Sequence, residues 1–263
     1  DAERAKLIEG LKSDEKSASA IAGRVQNVLT YGKEHYNGEF TSEETLKNVT
    51  LQDVINHYNT YFVPANAYLV VIGDVKTKDV KKKVEELFGA DVWKTASAPN
   101  LTYNDPKDLQ YSQINFVDVP NAVQSEIAMI NLSKLKMTDK DYFAAILANQ
   151  ILGGGGEGRL FLNLREKHGW TYGSYSNLGA SKYISKFSST ASVRNAVTDS
   201  AVVEIFNELR KIRTDLVSEE DLKNAKAKYI GNFVMQIEKP STIAGYALNK
   251  ETQGLPEDFY ENY

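Results

Sequence analysis

Apolar residues recur at three- and four-residue steps over the first 33 positions: Ala5, Ile8 and Leu11, then Ala18, Ile21, Val25 and Val28. That period predicts helix, and the run Tyr31-Gly-Lys-Glu-His-Tyr-Asn-Gly38 breaks it. Thr41 or Ser42 is placed to cap a short helix. Thr50, with Asp53 three residues on, opens another through Leu51, Val54, Ile55 and Tyr58. Past Pro64 and Asn66 the pattern changes. Ala67-Tyr-Leu-Val-Val-Ile-Gly73 is continuously apolar and of strand length, as a strand buried on both faces would be. A further helix carries Val80, Val84, Leu87 and Phe88 on one face and Lys81 to Lys83 on the other, with Gly89 placed to close it.

Residues 90–110 lose all periodicity and collect Pro99, Asn100, Asn104, Asp105 and Pro106, which marks a domain boundary. Beyond it, Tyr111 to Val117 and Gln124 to Ile130 read as strands separated by Pro120-Asn121. A helix capped at Thr138, with Asp141 at the third position, carries Phe143, Ile146, Leu147 and Ile151 into Gly153-Gly-Gly-Gly156. A short helix over about 158–168 ends at Gly169. Strands follow at about 170–178 and 184–194, and long helices start near Thr198 and at the box Ser218-Glu-Glu-Asp221. Helices and strands mix without strict alternation. The fold class is therefore α+β, with antiparallel-rich sheets and helices packed on one face.

Composition narrows the chemistry. With 31 Lys and Arg against 35 Asp and Glu, the 263-residue chain carries a net charge of −4. That argues against a nucleic-acid partner bound by phosphate neutralisation. No apolar run approaches the roughly 18 residues of a membrane span. The absence of cysteine excludes disulfides, thiolate metal sites and a cysteine nucleophile. It leaves cell envelope and cytosol both open as compartments. The opening Asp-Ala-Glu-Arg, without Met or a signal-peptide core, is that of a processed product or an excised piece.

The glycine run continues as Glu157-Gly158-Arg159-Leu160, where a phosphate loop needs Lys followed by Ser or Thr, so it reads as a flexible connector. His35, His57 and His168 are the only histidines, and neither H-E-x-x-H nor H-x-x-E-H occurs. Glu9 and Glu15 on the first helix read as solvated surface, and Trp93 and Trp170 as packing residues. Three glycosylation-type sequons, at Asn48, Asn100 and Asn131, are of a frequency expected by chance. The stretch Asn149 to Ser176 is the most informative. Arg165 in the last turn of a short helix and Tyr172 in the following strand lie seven residues apart across the turn at Gly169. Converging, a guanidinium and a phenol could bind a peptide carbonyl and stabilise its oxyanion. From the residues alone, the plainer account is favoured: an Arg bonding helix-end carbonyls and a Tyr packed in a strand.

The same stretch resembles the second-domain signature of the pitrilysin or insulinase-type (inverzincin) metallopeptidases, the family that includes mitochondrial processing peptidase. The shared features are the Leu-Gly-Gly-Gly turn, Arg-Leu-Phe, Leu-Arg-Glu-Lys, Gly and Tyr, here Leu152 to Tyr172. Thr50 to Asp74, Pro120 to Ile127 and Leu216 to Lys226 resemble further family segments. The resemblance spans about residues 30–240 and departs at the missing zinc motif. His35-Tyr-Asn-Gly38 stands where the family has His-Pro-Tyr-Gly, and the family's third ligand would fall close to Glu9.

The resemblance implies two α/β layered domains of the processing-peptidase kind. The rear of a first domain would occupy 1–92, a linker 93–110, and a second domain, cut short at its C-terminus, 111–263. It also implies a non-catalytic half, with no metal or cofactor of its own. Such a half pairs with a zinc-bearing catalytic half in the same or another polypeptide and binds unfolded, extended peptide by strand addition. Arg165 would hold a substrate carbonyl and Tyr172 would donate to the oxyanion. A purely structural subunit and a trimmed active peptidase remain alternatives.

Overall fold

In the computed structural model, residues 1–89, 91–93, 97–99, 101–102, 104–108 and 111–262 are described. Asn100 and several positions of the expected 93–110 linker lie outside them. The chain divides into two compact units. One is built from Asp1–Ile8, Thr41–Tyr103 and Phe233–Tyr263, the other from Glu9–Phe40 and Asn104–Asn232.

The expected N-terminal helix is two helices, α1 (Ala2–Asp14) and α2 (Ala18–Tyr31). Ser17 separates them, accepting from the Ala20 amide at 3.3 Å as the cap of α2. The first unit holds α3 (Glu43–Asn48), α4 (Leu51–Tyr61) and α5 (Thr77–Phe88). The helices α3 and α4 start as their sequences predict. Ser42 pairs reciprocally with Thr45, and Thr50 with Asp53. The Thr50 bonds also hold the Asp53 carboxyl below its ordinary range. The helix α5 closes at Gly89 as the sequence predicts, with φ at −63° and the Gly89 amide bonding the Glu85 carbonyl at 2.9 Å.

The apolar run 67–73 corrects the sequence reading. It is not a ladder strand, and Tyr68 to Ile72 are 39–62% exposed. A strand exists only where a second backbone takes up its hydrogen bonds, and among the described residues none pairs with this one. Residues 111–117 fail for the same reason, with Ile114 97% exposed. The α+β class holds, but the described sheet lies wholly in the second unit.

That sheet has the order β1–β3–β2, all antiparallel: β1 (Gln124–Ser133), β2 (Thr171–Leu178) and β3 (Ser185–Arg194). Between β1 and β2 run α6 (Tyr142–Gly153) and α7 (Arg159–Phe161), the latter continuing as a wider turn over Leu162–Lys167. Thr138 does not cap α6 as expected. The cap position falls at Asp141, which makes no side-chain cap bond, and Asp139 instead accepts from the Lys136 amide at 2.9 Å. After β3 come α8 (Thr198–Thr214) and α9 (Glu219–Ile237), then α10 (Pro240–Gln253). As its box predicts, Ser218 accepts from the Asp221 amide at 3.0 Å. No described helix is long and apolar enough to cross a membrane.

The core of this unit joins Ile127 of β1, Ala191 and Val193 of β3, Leu152 of α6, Leu160 and Leu164, and Ala201 and Ile205 of α8. Its density explains the start of the glycine run, which is close-packed at Gly153 rather than a flexible connector throughout. A Cβ on Gly153 would sit 2.4 Å from the Ser176 amide nitrogen and 2.9 Å from Leu160. Two ion pairs fasten the junction to α9, Lys228–Glu157 at 2.9 Å and Arg159–Asp221 at 3.7 Å.

The wider turn is tied to α8 by a polar contact. The Asn163 side-chain amide donates to Glu204 Oε2 and to Glu208 Oε1, each at 2.8 Å. The bond to Glu204 is the main reason that carboxyl is held below its ordinary value, with Asn207, Lys167 and His168 adding to the effect.

The close packing at Gly153 is expected to show in stability. Gly153→Ala lowers it in a urea melt by about 1–3 kcal/mol. Gly156→Ala, whose nearest neighbour lies 3.8 Å away, changes it by less than about 0.5 kcal/mol. Because the folded-state pKa of Glu204 is depressed, its contribution is complete above its ordinary value of 4.5 and is lost as pH falls through the lower folded value. Melting curves of wild type and Glu204→Gln therefore converge on acidification through that range, and a constant separation between them would refute the linkage.

Candidate functional site

Arg165 is delivered by the wider turn, in which the His168 amide bonds back five residues to the Asn163 carbonyl at 3.2 Å. Gly169 then takes φ +62°, a left-handed turn that an L side chain rarely adopts. The amides of Gly169 and Trp170 close the turn onto the Arg165 and Leu164 carbonyls. The chain leaves directly into β2.

At the start of β2, a bulge between Thr171 and Ser174 takes Tyr172 and Gly173 out of register with β3. The Tyr172 carbonyl is thereby released from the ladder and accepts from Arg165 Nη1 at 3.1 Å. Thr171 pins the bulge, its hydroxyl donating to the Gly173 carbonyl at 2.9 Å and accepting from the Gly173 amide at 3.1 Å. The Arg165 guanidinium lies 5.0 Å over the Phe161 ring, and its Nε is 3.5 Å from Glu166 Oε1. Phe161 meets the Tyr175 ring at 5.9 Å, and Tyr175 folds over Gly173, which has no side chain to obstruct it.

The structure thus brings Arg165 to Tyr172, but to its backbone. The plainer sequence account fails at both residues: the carbonyl that Arg165 bonds belongs to β2 and not to a helix end, and Tyr172 is 86% exposed rather than packed as a strand tyrosine would be. Its hydroxyl makes no hydrogen bond among the described residues. Beside it lies an open depression of about 370 Å³, lined by Gln124, Thr171, Tyr172, Gly173, Tyr175 and Ser192. Ser192 donates to Glu126 at 2.6 Å. Sequence reading misses Phe161, Tyr175 and Ser192 as parts of the site; the bulge-forming Thr171-Tyr-Gly173 is the signal that points to this end of β2.

Two β2 carbonyls, those of Tyr172 and Ser176, are taken by side chains that precede the strand, Arg165 and Asn149. A peptide adding a strand at β2 has to compete with both bonds. His35 is buried and stacked on Tyr31, His57 lies against Tyr61, and His168 stacks on Trp170 at 4.1 Å. Glu9 pairs with Lys12 on the exposed face of α1. Among the described residues no three His, Cys, Asp or Glu side chains are placed to hold a metal ion.

The chain is 23% identical over 193 residues to a probable inactive metalloprotease, YmfF, of Bacillus subtilis, covering 73% of this chain and 43% of that protein. It is 24% identical over 223 residues to the zinc protease PqqE of Helicobacter pylori, covering 81% and 49%. The chain thus spans about half the length of these relatives. Its fold matches the crystal structure of a peptidase M16 inactive domain from Pseudomonas fluorescens with a TM-score of 0.84 at 20% identity, over 98% of this chain and 61% of that one. A Helicobacter pylori protease matches with a TM-score of 0.85 at 20% identity, over 99% and 63%. Residues 48–229 match the family described as the peptidase M16 inactive domain, and the chain belongs to that family.

Proposed function

We propose that this chain is the substrate-holding half of a zinc peptidase, acting with a zinc-bearing catalytic half. The observation that carries the reading is the exposed Tyr172 hydroxyl, without a hydrogen bond among the described residues, on a residue whose backbone carbonyl holds the Arg165 guanidinium in place. A guanidinium has five N–H donors in a planar fork. The Tyr172 bond uses Nη1 and the Glu166 contact uses Nε, which leaves donors for a peptide carbonyl. The Tyr172 hydroxyl needs to break no intramolecular bond before donating to a developing oxyanion, and such preorganised donors are strongest in a water-poor cleft. Extended peptide would lie along this end of the sheet, with one side chain over the depression beside Tyr172. Zinc on the catalytic half would supply the activated water.

One observation favours a second reading, that of a structural subunit: Arg165 is already engaged by Tyr172, Glu166 and Phe161 and is placed well enough to act in packing alone. The two readings part in the reassembled enzyme. On the first, Tyr172→Phe lowers kcat by about 10²–10³ while the circular dichroism of the chain is unchanged. Unchanged turnover in Tyr172→Phe and Arg165→Ala would leave only the structural role. A zinc assay of the chain purified without added metal checks the division of labour. Near-zero content is expected, and one tightly held zinc per chain would overturn it.

A further inference from the structure

The turn that carries Arg165 is held from two sides by different forces. On the apolar side, Leu160 and Leu164 are fully buried in the core. Apolar burial is non-directional, so it fixes how deep the segment sits without fixing how residue 165 is rotated. The wider turn makes that rotation matter. Relative to a regular α-helix, one extra residue is accommodated, and each following side chain is displaced by about 100° around the axis. Some directional contact has to select this winding over the regular one.

Asn163 supplies it. The residue is 8% exposed, and its side chain offers one amide nitrogen with two hydrogens. One goes to Glu204 Oε2 and the other to Glu208 Oε1, both at 2.8 Å, on carboxylates one turn apart along α8. Glu208 is itself only 6% exposed. Burying it costs stability unless it is bonded, and Lys211 at 3.2 Å and Asn163 are the groups that bond it. Asn207 also donates to Glu204, at 3.4 Å, and Lys167 and His168 face it from the turn. The acceptors are fixed on a long helix, so the donor between them has one place to be.

We propose that Asn163 is a positioning residue: by bridging Glu204 and Glu208 it selects the wide winding of residues 162–167 and so aims the Arg165 guanidinium at the Tyr172 carbonyl. Its relevance to catalysis rests on the proposed function; its geometry does not.

The test reads Arg165 directly in the full chain, by the nitrogen-15 resonances of its guanidinium. In the wild type these show hindered rotation, because Nη1 is bonded to a carbonyl. In Asn163→Ala the hindrance is lost while the methyl resonances of Ile127 and Val193 stay native. Asn163→Asp places a third carboxylate against two others and loses it as well. The triple variant Asn163→Asp/Glu204→Gln/Glu208→Gln reverses both bonds, two amide donors facing one carboxylate, and recovers the hindered signal. Should Asn163→Ala disturb the core methyls, the triple variant decides alone: recovery sustains the proposal and failure to recover overturns it. A hindered signal unchanged in Asn163→Ala overturns it too. If Arg165→Ala leaves turnover of the reassembled enzyme unaffected, the peptidase reading fails while this measurement stands.

Discussion

Leu160 and Leu164 lie sealed between the sheet and α8, in one cluster with the residues that join the other elements of the second unit's core. Each leucine so buried contributes about 1.5–3 kcal/mol, but their greater effect is geometric. To bring them that deep, the chain before them must approach the sheet at Gly153, where no Cβ fits against Ser176. The chain after them must reverse within a few residues, which it does through the left-handed Gly169. The exposed side of the same short segment then faces the start of β2, and Arg165 and Tyr172 meet there as a result. The site is a by-product of how two leucines are buried.

Polar contacts refine what the apolar ones leave undetermined. The bulge at Thr171–Ser174 gives up ladder bonds and frees a carbonyl, and the Arg165 side chain takes the place of the missing strand. Beneath it, the buried Glu208 carboxylate on α8 is tolerated because an amide and a lysine answer it. Such networks stabilise only when their members are paired, and Asn163 Oδ1 is buried without a partner among the described residues, so this one is better at choosing between two similar windings than at adding stability. The division fits the proposed role, which needs a fixed guanidinium and a free hydroxyl within a few residues of each other.

What could be read from the sequence was local. The reciprocal cap at Thr50–Asp53, the Ser42 start of α3, the Ser218 start of α9 and the turn at Gly169 are each determined by neighbours within a few positions, and they and the three ladder strands occur where the pattern puts them to within a few residues. Leu160, Phe161 and Leu164 were legible as buried from helical spacing. What escaped was long-range. Asn163 meets Glu204 and Glu208 across 41 and 45 positions, and no local pattern announces that. The one-residue difference between a regular and a wider turn leaves the apolar spacing of 160 and 164 untouched. The apolar run 67–73 has the composition of a strand, but composition cannot supply the second backbone a strand requires.

That run has a practical consequence for handling the chain. Tyr68 to Val75 presents consecutive apolar side chains outside any ladder, with Gly73 and Asp74 the sole interruptions and no proline within it. Unprotected segments of this kind are templates for intermolecular β-pairing and aggregation. The colloidal behaviour of the isolated chain will therefore be governed by this run and by the exposed stretch 111–117, however well the core of the second unit is packed. A charged residue introduced at Leu69 or Val71 would improve yield without touching Arg165, Tyr172 or the core that places them.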